Sequence, residues 1–97
     1  MLTLDRIKTV VSEIAPKYEI EKVYLFGSYA RGDAIEESDV DLRITGENPR
    51  TLFGVAELCI DLEKTLNKPV DILTPGATSE RFYNLIKNTE VLIYESE

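Results

Sequence analysis

The stretch that decides the fold is residues 21–44, which read EKVYLFGSYARGDAIEESDVDLRI. Residues 21–26 are rich in apolar and β-forming side chains and end at a glycine, which predicts a buried strand. Residues 39–44 alternate strictly between polar and apolar, which predicts a second strand with one apolar face and one polar face. Between the two strands, the glycines of residues 27–32 predict a turn with room for one short helical segment.

Helical and strand periodicity also marks the segments on either side of this stretch. The predicted elements are helices over residues 3–15 and 51–66, a third helix that starts near residue 79, and short strands over residues 70–73 and 91–94. Thr3 is a suitable N-cap for the first helix. Helices that alternate with strands in this order predict an α/β (α+β) domain with a small mixed β-sheet covered by helices.

The composition is that of one globular domain. The chain has 97 residues, of which 43% are hydrophobic and 30% charged. This length supports a single hydrophobic core, so residues 1–97 are expected to form one domain. The sequence contains no apolar run of about 20 residues that could span a membrane. Charged residues near the N-terminus interrupt any signal-like stretch, so we expect a cytoplasmic protein with no membrane partner.

Charge and residue usage narrow the possible chemistry. The net charge of -7 disfavours binding to nucleic acid, because such proteins use basic residues to contact phosphates. The chain has no histidine and one cysteine, which excludes histidine-activated nucleophiles and zinc sites made of histidine or several cysteines. Cys59 is expected to be an inert core thiol. A bound metal would therefore be a hard cation held by carboxylate oxygens.

Three aspartates stand at positions that need an explanation. Asp39 and Asp41 lie two residues apart on the second predicted strand, so their carboxylates project from one face about 6.5–7 Å apart. Like charges repel, and a divalent cation would favour this arrangement, although a solvated strand face is the alternative. Asp71 interrupts an otherwise apolar strand. It must face solvent, a cation or a cleft, and an edge strand would explain it equally well.

Two further features lie close to these aspartates in the sequence. The glycine turn at Gly27 and Ser28 follows an apolar strand, where backbone N–H groups and a hydroxyl could approach an anion. A simple turn with Ser28 as a helix cap, and Arg31 as a surface residue, is the alternative. Arg43 shares the face of the aspartates by strand parity. Surface exposure is the favoured interpretation, while pairing with an aspartate or contact with a phosphate remains open.

Taken together, these features resemble a known family. The spacing Gly-Ser-x-x-Arg-Gly-x-x-x-x-x-Ser-Asp-x-Asp-Leu over residues 27–42, followed by Asp71, is similar to the signature of the nucleotidyltransferase superfamily typified by DNA polymerase beta. It most closely resembles the minimal nucleotidyltransferases, small prokaryotic proteins usually encoded beside a HEPN-domain protein. Several of them act as the antitoxin of that protein. The resemblance covers nearly the whole chain and implies a polymerase beta-like nucleotidyltransferase fold.

The resemblance also implies roles for individual residues. The triphosphate of a nucleotide, ATP, would be held by Gly27 and Ser28, with Arg31 and Gly32 shaping the turn. Two Mg²⁺ ions would be ligated by the three aspartates, Asp39, Asp41 and Asp71. Asp71 would also help to deprotonate the attacking hydroxyl.

By the same resemblance, the function would be transfer of AMP from ATP to a tyrosine hydroxyl of a HEPN-domain toxin, with release of pyrophosphate. Little sequence remains beyond the catalytic core, so we expect the acceptor to be a protein with its own binding surface. One alternative is a non-catalytic module that neutralises the partner by masking its surface. Another is a transferase that acts on a small molecule, for which a homo-oligomer could build an acceptor cleft.

Overall fold

The computed structural model describes residues 2–46, 52–75 and 79–96. These residues form four α-helices, four strands and one short 3₁₀ turn. In chain order they are α1 (Leu4–Ile14), the 3₁₀ turn (Ala15–Tyr18), β1 (Lys22–Phe26), α2 (Ser28–Arg31), β2 (Val40–Thr45), α3 (Leu52–Leu66), β3 (Val70–Leu73), α4 (Glu80–Ile86) and β4 (Val91–Glu95).

Every predicted helix and strand is present. The boundaries that can be compared shift by one residue at most, and the predicted helix start at residue 51 lies outside the described residues. Within the described residues, side chains cap α1 and α4, and the sequence suggested the cap of α1. The Thr3 hydroxyl accepts a hydrogen bond from the Arg6 N–H at 3.1 Å, and the Ser79 hydroxyl accepts one from the Phe82 N–H at 3.1 Å. Each bond satisfies a backbone donor that has no partner within its helix.

The four strands form one mixed sheet in the order β3-β2-β1-β4. Strand β1 runs antiparallel to both β2 and β4, whereas β2 and β3 are parallel. The central strands are therefore β1 and β2, and β3 and β4 are the edges. This arrangement confirms the expected mixed sheet.

The hydrophobic core lies on one face of the sheet, beneath α1 and α3. The alternation in β2 determines which side chains enter it, since Val40, Leu42 and Ile44 are each at most 1% exposed. The buried helical residues that meet them are Ile7, Val10, Val11 and Ile14 of α1 and Leu58, Leu62 and Leu66 of α3. Their spacing of three and four residues is the amphipathic pattern seen in the sequence.

The opposite face of the sheet carries the polar residues of β2 and is covered in part by α4. The Phe82 ring meets the Phe26 ring of β1 edge to face, with centroids 5.8 Å apart. The Tyr83 ring lies 5.0 Å from the Arg43 guanidinium carbon. Helix α4 thus lies on the face toward which Asp41 and Arg43 point. In the described part of the chain, no helix is long and apolar enough to cross a membrane.

Candidate active site

Two of the predicted aspartates are neighbours across the sheet. Asp41 of β2 is the register partner of Asp71 of β3, so both side chains point to the same face. Asp41 is partly buried, and Asp71 is exposed on the edge strand. Asp39 is exposed immediately before β2 begins. The fold therefore brings Asp41 and Asp71 together, with Asp39 beside them.

These carboxylates crowd one another electrostatically. Burial raises the pKa of Asp41 above its usual 3.8, and the charges of Asp71 and then Asp39 raise it further. A side-chain hydrogen bond with Asp71 acts in the same direction, whereas the positive charge of Arg31 lowers the pKa. Crowded like charges of this kind are stabilised by a cation or a shared proton.

Gly27 leaves the space that the Asp41 carboxylate occupies. A Cβ atom at position 27 would lie 2.3 Å from Oδ2 of Asp41 and 3.2 Å from its Cγ. The backbone of Gly27 also has a φ of 75° and a ψ of -154°, a conformation essentially restricted to glycine. The turn predicted to bind phosphates, residues 27–32, is called the phosphate turn. It is therefore in direct contact with the predicted metal ligand Asp41, which the sequence alone did not indicate.

The turn after Gly27 is a single helical turn, α2, as the two glycines suggested. The Gly27 carbonyl accepts a hydrogen bond from the Arg31 N–H at 3.0 Å, and the Ser28 carbonyl accepts one from the Gly32 N–H at 3.0 Å. Gly32 ends the turn in the left-handed conformation, with a φ of 85°. Arg31 is half exposed, and its Nε lies 3.3 Å from Oδ2 of Asp33. All four predicted nucleotide-binding residues thus lie in one turn beside Asp41.

The loop before β2 positions Asp39. The Ile35 N–H donates to the Ser38 hydroxyl at 2.9 Å, and the Ser38 N–H donates to the Ile35 carbonyl at 3.0 Å. The Val40 N–H donates to the Pro69 carbonyl at 3.0 Å, which joins this loop to the start of β3. Ser38 therefore closes a turn, and these bonds fix the approach of the chain to the aspartates.

The donor set suits Mg²⁺ in a particular way. Among residues 2–46, 52–75 and 79–96, no three acidic, cysteine or histidine side chains are arranged to hold a metal ion by themselves. Mg²⁺ is usually held by one or two carboxylates together with the phosphates of its substrate. The Asp41–Asp71 pair, beside a turn predicted to bind phosphates, fits that pattern.

Arg43 departs from the favoured sequence interpretation. Its side chain is only 12% exposed, so the expected surface position was wrong. It pairs with Glu90 rather than an aspartate, through Nη2–Oε1 and Nε–Oε2 contacts of 2.7 and 2.9 Å. The guanidinium also lies 4.3 Å from the centre of the Tyr24 ring and 5.0 Å from that of Tyr83. Arg43 thus fastens α4 and the start of β4 to the sheet.

Sequence reasoning missed Glu90 and the Phe26–Phe82 contact. Strand parity could have placed Arg43 and Tyr24 on one face, but no spacing rule connects Arg43 with a glutamate 47 residues later. Cys59 was expected to be inert and buried. It is partly buried, its Sγ donates to the Val70 carbonyl at 3.2 Å, and burial raises the pKa of its thiol, which keeps it protonated.

Comparison with known proteins identifies relatives along almost the whole chain. Residues 8–97 match the family described as Polymerase beta, Nucleotidyltransferase. Protein adenylyltransferase MntA of Thermococcus cleftensis is 35% identical over 77 residues, which are 75% of this chain and 78% of that protein. A protein of Methanocaldococcus jannaschii, provisionally named a protein adenylyltransferase, is 54% identical over 80 residues, which are 80% of this chain and 75% of that protein.

A solved structure agrees in fold. It is that of the tri-AMPylated HEPN toxin of Shewanella oneidensis in complex with an MNT antitoxin. One of its chains superposes with a TM-score of 0.74 at 16% identity, covering 95% of this chain and 72% of that chain. These findings confirm the predicted family, fold and enzyme class. The chain belongs to the polymerase beta nucleotidyltransferase family, among its small protein adenylyltransferases.

Proposed function

We propose that residues 1–97 form one nucleotidyltransferase domain that transfers AMP from ATP to a tyrosine hydroxyl of a HEPN-domain toxin. The reaction depends on Mg²⁺ and takes place in the cytoplasm. The modified toxin is neutralised, so this chain acts as its antitoxin.

The observation that carries the proposal is the contact between the phosphate turn and the carboxylate pair. Asp41 faces Asp71 across two strands, and its Oδ2 occupies the space in which a side chain at Gly27 would have to lie. A triphosphate on this turn would therefore sit directly beside two carboxylates. Carboxylates repel phosphates unless cations lie between them, so the arrangement makes chemical sense for a nucleotide bound with its metal.

Each residue then has a defined task in the transfer. Asp41 and Asp71, together with Asp39, would hold Mg²⁺, which when bound neutralises the phosphate oxygens and polarises the α-phosphate. Ser28 and the backbone of the turn orient the triphosphate, and Arg31 adds positive charge on the same side. In-line positioning and charge neutralisation account for most of the catalysis in phosphoryl transfer.

The proposed transfer forms one bond and breaks another at the α-phosphorus, and it releases one proton. The acceptor oxygen forms a bond to the α-phosphorus while the bond from that phosphorus to the α–β bridging oxygen breaks. Pyrophosphate leaves with the electron pair of the broken bond. The hydroxyl proton passes to the carboxylate of Asp71, which is exposed and can release it to water.

The comparisons support the choice of acceptor. Curated relatives bear the name protein adenylyltransferase, and a solved complex of the same fold contains a HEPN toxin that carries AMP. The net charge of -7 also favours a protein acceptor over a nucleic acid.

Intact-mass spectrometry of a purified HEPN-domain partner tests the proposal. The partner is incubated with ATP, Mg²⁺ and this chain, either wild type, Asp41→Asn or Glu57→Gln. Glu57 is exposed on α3, so Glu57→Gln is a control for the loss of one charge outside the site. We expect the wild type and Glu57→Gln to add AMP at similar rates, and Asp41→Asn to be slower by about a thousandfold, since a metal ligand is lost.

Peptide mapping of the product then identifies the modified residue. AMP on a tyrosine supports the proposal, and AMP on another residue type contradicts the acceptor assignment. An unchanged partner mass, with a stable complex from both the wild type and Asp41→Asn, would support the masking module instead.

A further inference from the structure

Helix α4, which covers part of the sheet face that carries Asp41 and Asp71, exposes three large apolar side chains. They are Phe82, Tyr83 and Leu85, which are 36%, 38% and 72% exposed. Tyr83 already stacks on Arg43, and Leu85 has no ring. Phe82 is the aromatic ring of this group that contacts Phe26, the residue before the phosphate turn.

The neighbours of Phe82 place it beside the reacting groups. Its ring contacts the Phe26 ring, with centroids 5.8 Å apart and planes at 80°. Phe26 is the cross-strand partner of Asp41, and such partners lie about 5 Å apart. Phe26 also immediately precedes Gly27. The Phe26 side chain therefore lies between Phe82 and both the carboxylate pair and the phosphate turn.

The ring is held in place yet remains accessible. The Ser79 cap fixes the first turn of α4 through the Phe82 N–H, and the contacts of Arg43 with Glu90 and Tyr83 fasten the helix to the sheet. An edge-to-face contact with Phe26 covers at most one face of the Phe82 ring. With 36% of its surface exposed, the Phe82 side chain remains accessible to a planar ligand while it is held in place.

We propose that Phe82 is the platform on which the base of the bound nucleotide stacks. The inference rests on the proposed function, because it takes the triphosphate to lie on the turn at Gly27. In any nucleotide the base lies one ribose away from the α-phosphate. Phe82 is likewise separated from Asp41 by one group, the Phe26 side chain. Every base has a π-face, so the platform accepts ATP and GTP alike.

Calorimetric titration in the absence of partner protein tests the platform. The ligands are α,β-methylene-ATP, α,β-methylene-GTP and inorganic tripolyphosphate, each with Mg²⁺. Phe82→Ala should weaken the binding of both nucleotides by about 5- to 100-fold, which is the range for loss of one base–aromatic stack. The affinity for tripolyphosphate should not change. Phe82→Leu keeps apolar bulk without a ring and should weaken nucleotide binding similarly. Phe82→Trp should preserve it.

Leu85→Ala is the matched control, because it removes an apolar side chain from the same helix without removing a ring. It should bind all three ligands like the wild type. Unchanged nucleotide affinity in Phe82→Ala overturns the proposal, and so does an equal loss for tripolyphosphate, which would mean a disturbed phosphate site. If nucleotide affinity is unchanged while the intact-mass assay gives a higher KM for the partner, the proposal is also overturned and the ring is assigned to the acceptor. Failure of the wild type to bind any nucleotide would instead contradict the proposed function.

Discussion

On the face of β2 that points away from the core, Arg43 and Asp41 stand in opposite electrostatic surroundings. At one end, Arg43 is 12% exposed, paired with Glu90 by two hydrogen bonds and covered by two aromatic rings. At the other end, two residues earlier on the same strand, Asp41 faces Asp71, and the charge beside it has the same sign.

The difference separates a charge that the chain neutralises itself from one that a ligand could neutralise. A buried charge is tolerated when a counter-charge and hydrogen bonds accompany it, as they do at Arg43. Among the described residues, the positive charge that acts on Asp41 is that of Arg31, whose side chain is half exposed and already pairs with Asp33. The fold therefore maintains a local excess of negative charge, which bound Mg²⁺ would neutralise.

The largest predicted effect on stability concerns the Arg43–Glu90 ion pair. Arg43→Met leaves the Glu90 carboxylate, which is 7% exposed, without its partner. Breaking a buried ion pair from one side is strongly destabilising, so we expect a loss of about 3 kcal/mol in the free energy of unfolding. Urea denaturation followed by circular dichroism measures it.

Lys22→Met is the matched comparison for Arg43→Met. Lys22 and Glu95 form a more exposed pair, with a separation of 3.5 Å, and exposed pairs contribute about 0–1 kcal/mol. The double variant Arg43→Met, Glu90→Leu should recover much of the stability, since no buried charge is then left alone. If Arg43→Met costs no more than Lys22→Met, the two ends of β2 do not differ as described.

The second prediction concerns the contact between Gly27 and Asp41. Gly27→Ala forces a Cβ to 2.3 Å from the carboxylate in a backbone conformation that only glycine adopts readily, so we expect a loss of about 1–3 kcal/mol. Gly32→Ala also has a positive φ, of 85°, but its Cβ would meet no atom within 4 Å. It should cost about 1 kcal/mol.

Denaturation of both glycine variants measures the difference, which combines the displacement of Asp41 with the more restricted backbone conformation of Gly27. Gly27→Ala should also lose transferase activity, because the carboxylate can no longer lie beside the turn. Equal stability of the two variants would show that Asp41 moves aside without cost and that the close contact is not needed.

Much of this arrangement could be read from the sequence because it follows from local periodicity. Strict alternation in residues 39–44 placed the aspartates on the face away from the core, and the glycines at 27 and 32 marked a short turn. These are properties of neighbouring residues in one element, for which strand and helix periods are sufficient.

The remaining features depend on contacts between distant elements. The register of β2 against β3 determines that Asp41, rather than Asp39, faces Asp71. The position of α4 determines that Arg43 is covered and meets Glu90. Neither register nor helix docking has a local signal, since both result from packing of the whole domain. For that reason the exposed position favoured for Arg43 was wrong, while the faces of β2 were predicted correctly.

The smallest predicted effect on stability concerns Asp41, which lies beside charges of the same sign. In metal-free buffer, Asp41→Asn removes a partly buried charge from beside two others, so the variant should be more stable than the wild type by about 1 kcal/mol. Because the folded state raises the pKa of Asp41, protonation favours folding. The advantage of asparagine should therefore vanish well below pH 3.8, where both side chains are neutral, and grow as the pH rises through the folded pKa.

Addition of Mg²⁺ and α,β-methylene-ATP should reverse the order of stability. A ligand that binds only the folded state stabilises it more when it binds more tightly, and Asp41→Asn has lost a carboxylate ligand. The wild type should then gain more in melting temperature than the variant. Glu57→Gln removes a charge elsewhere and should shift like the wild type under both conditions. If Asp41→Asn is less stable than the wild type without metal, the chain itself already satisfies Asp41, and the crowded end of β2 needs no ligand to explain it.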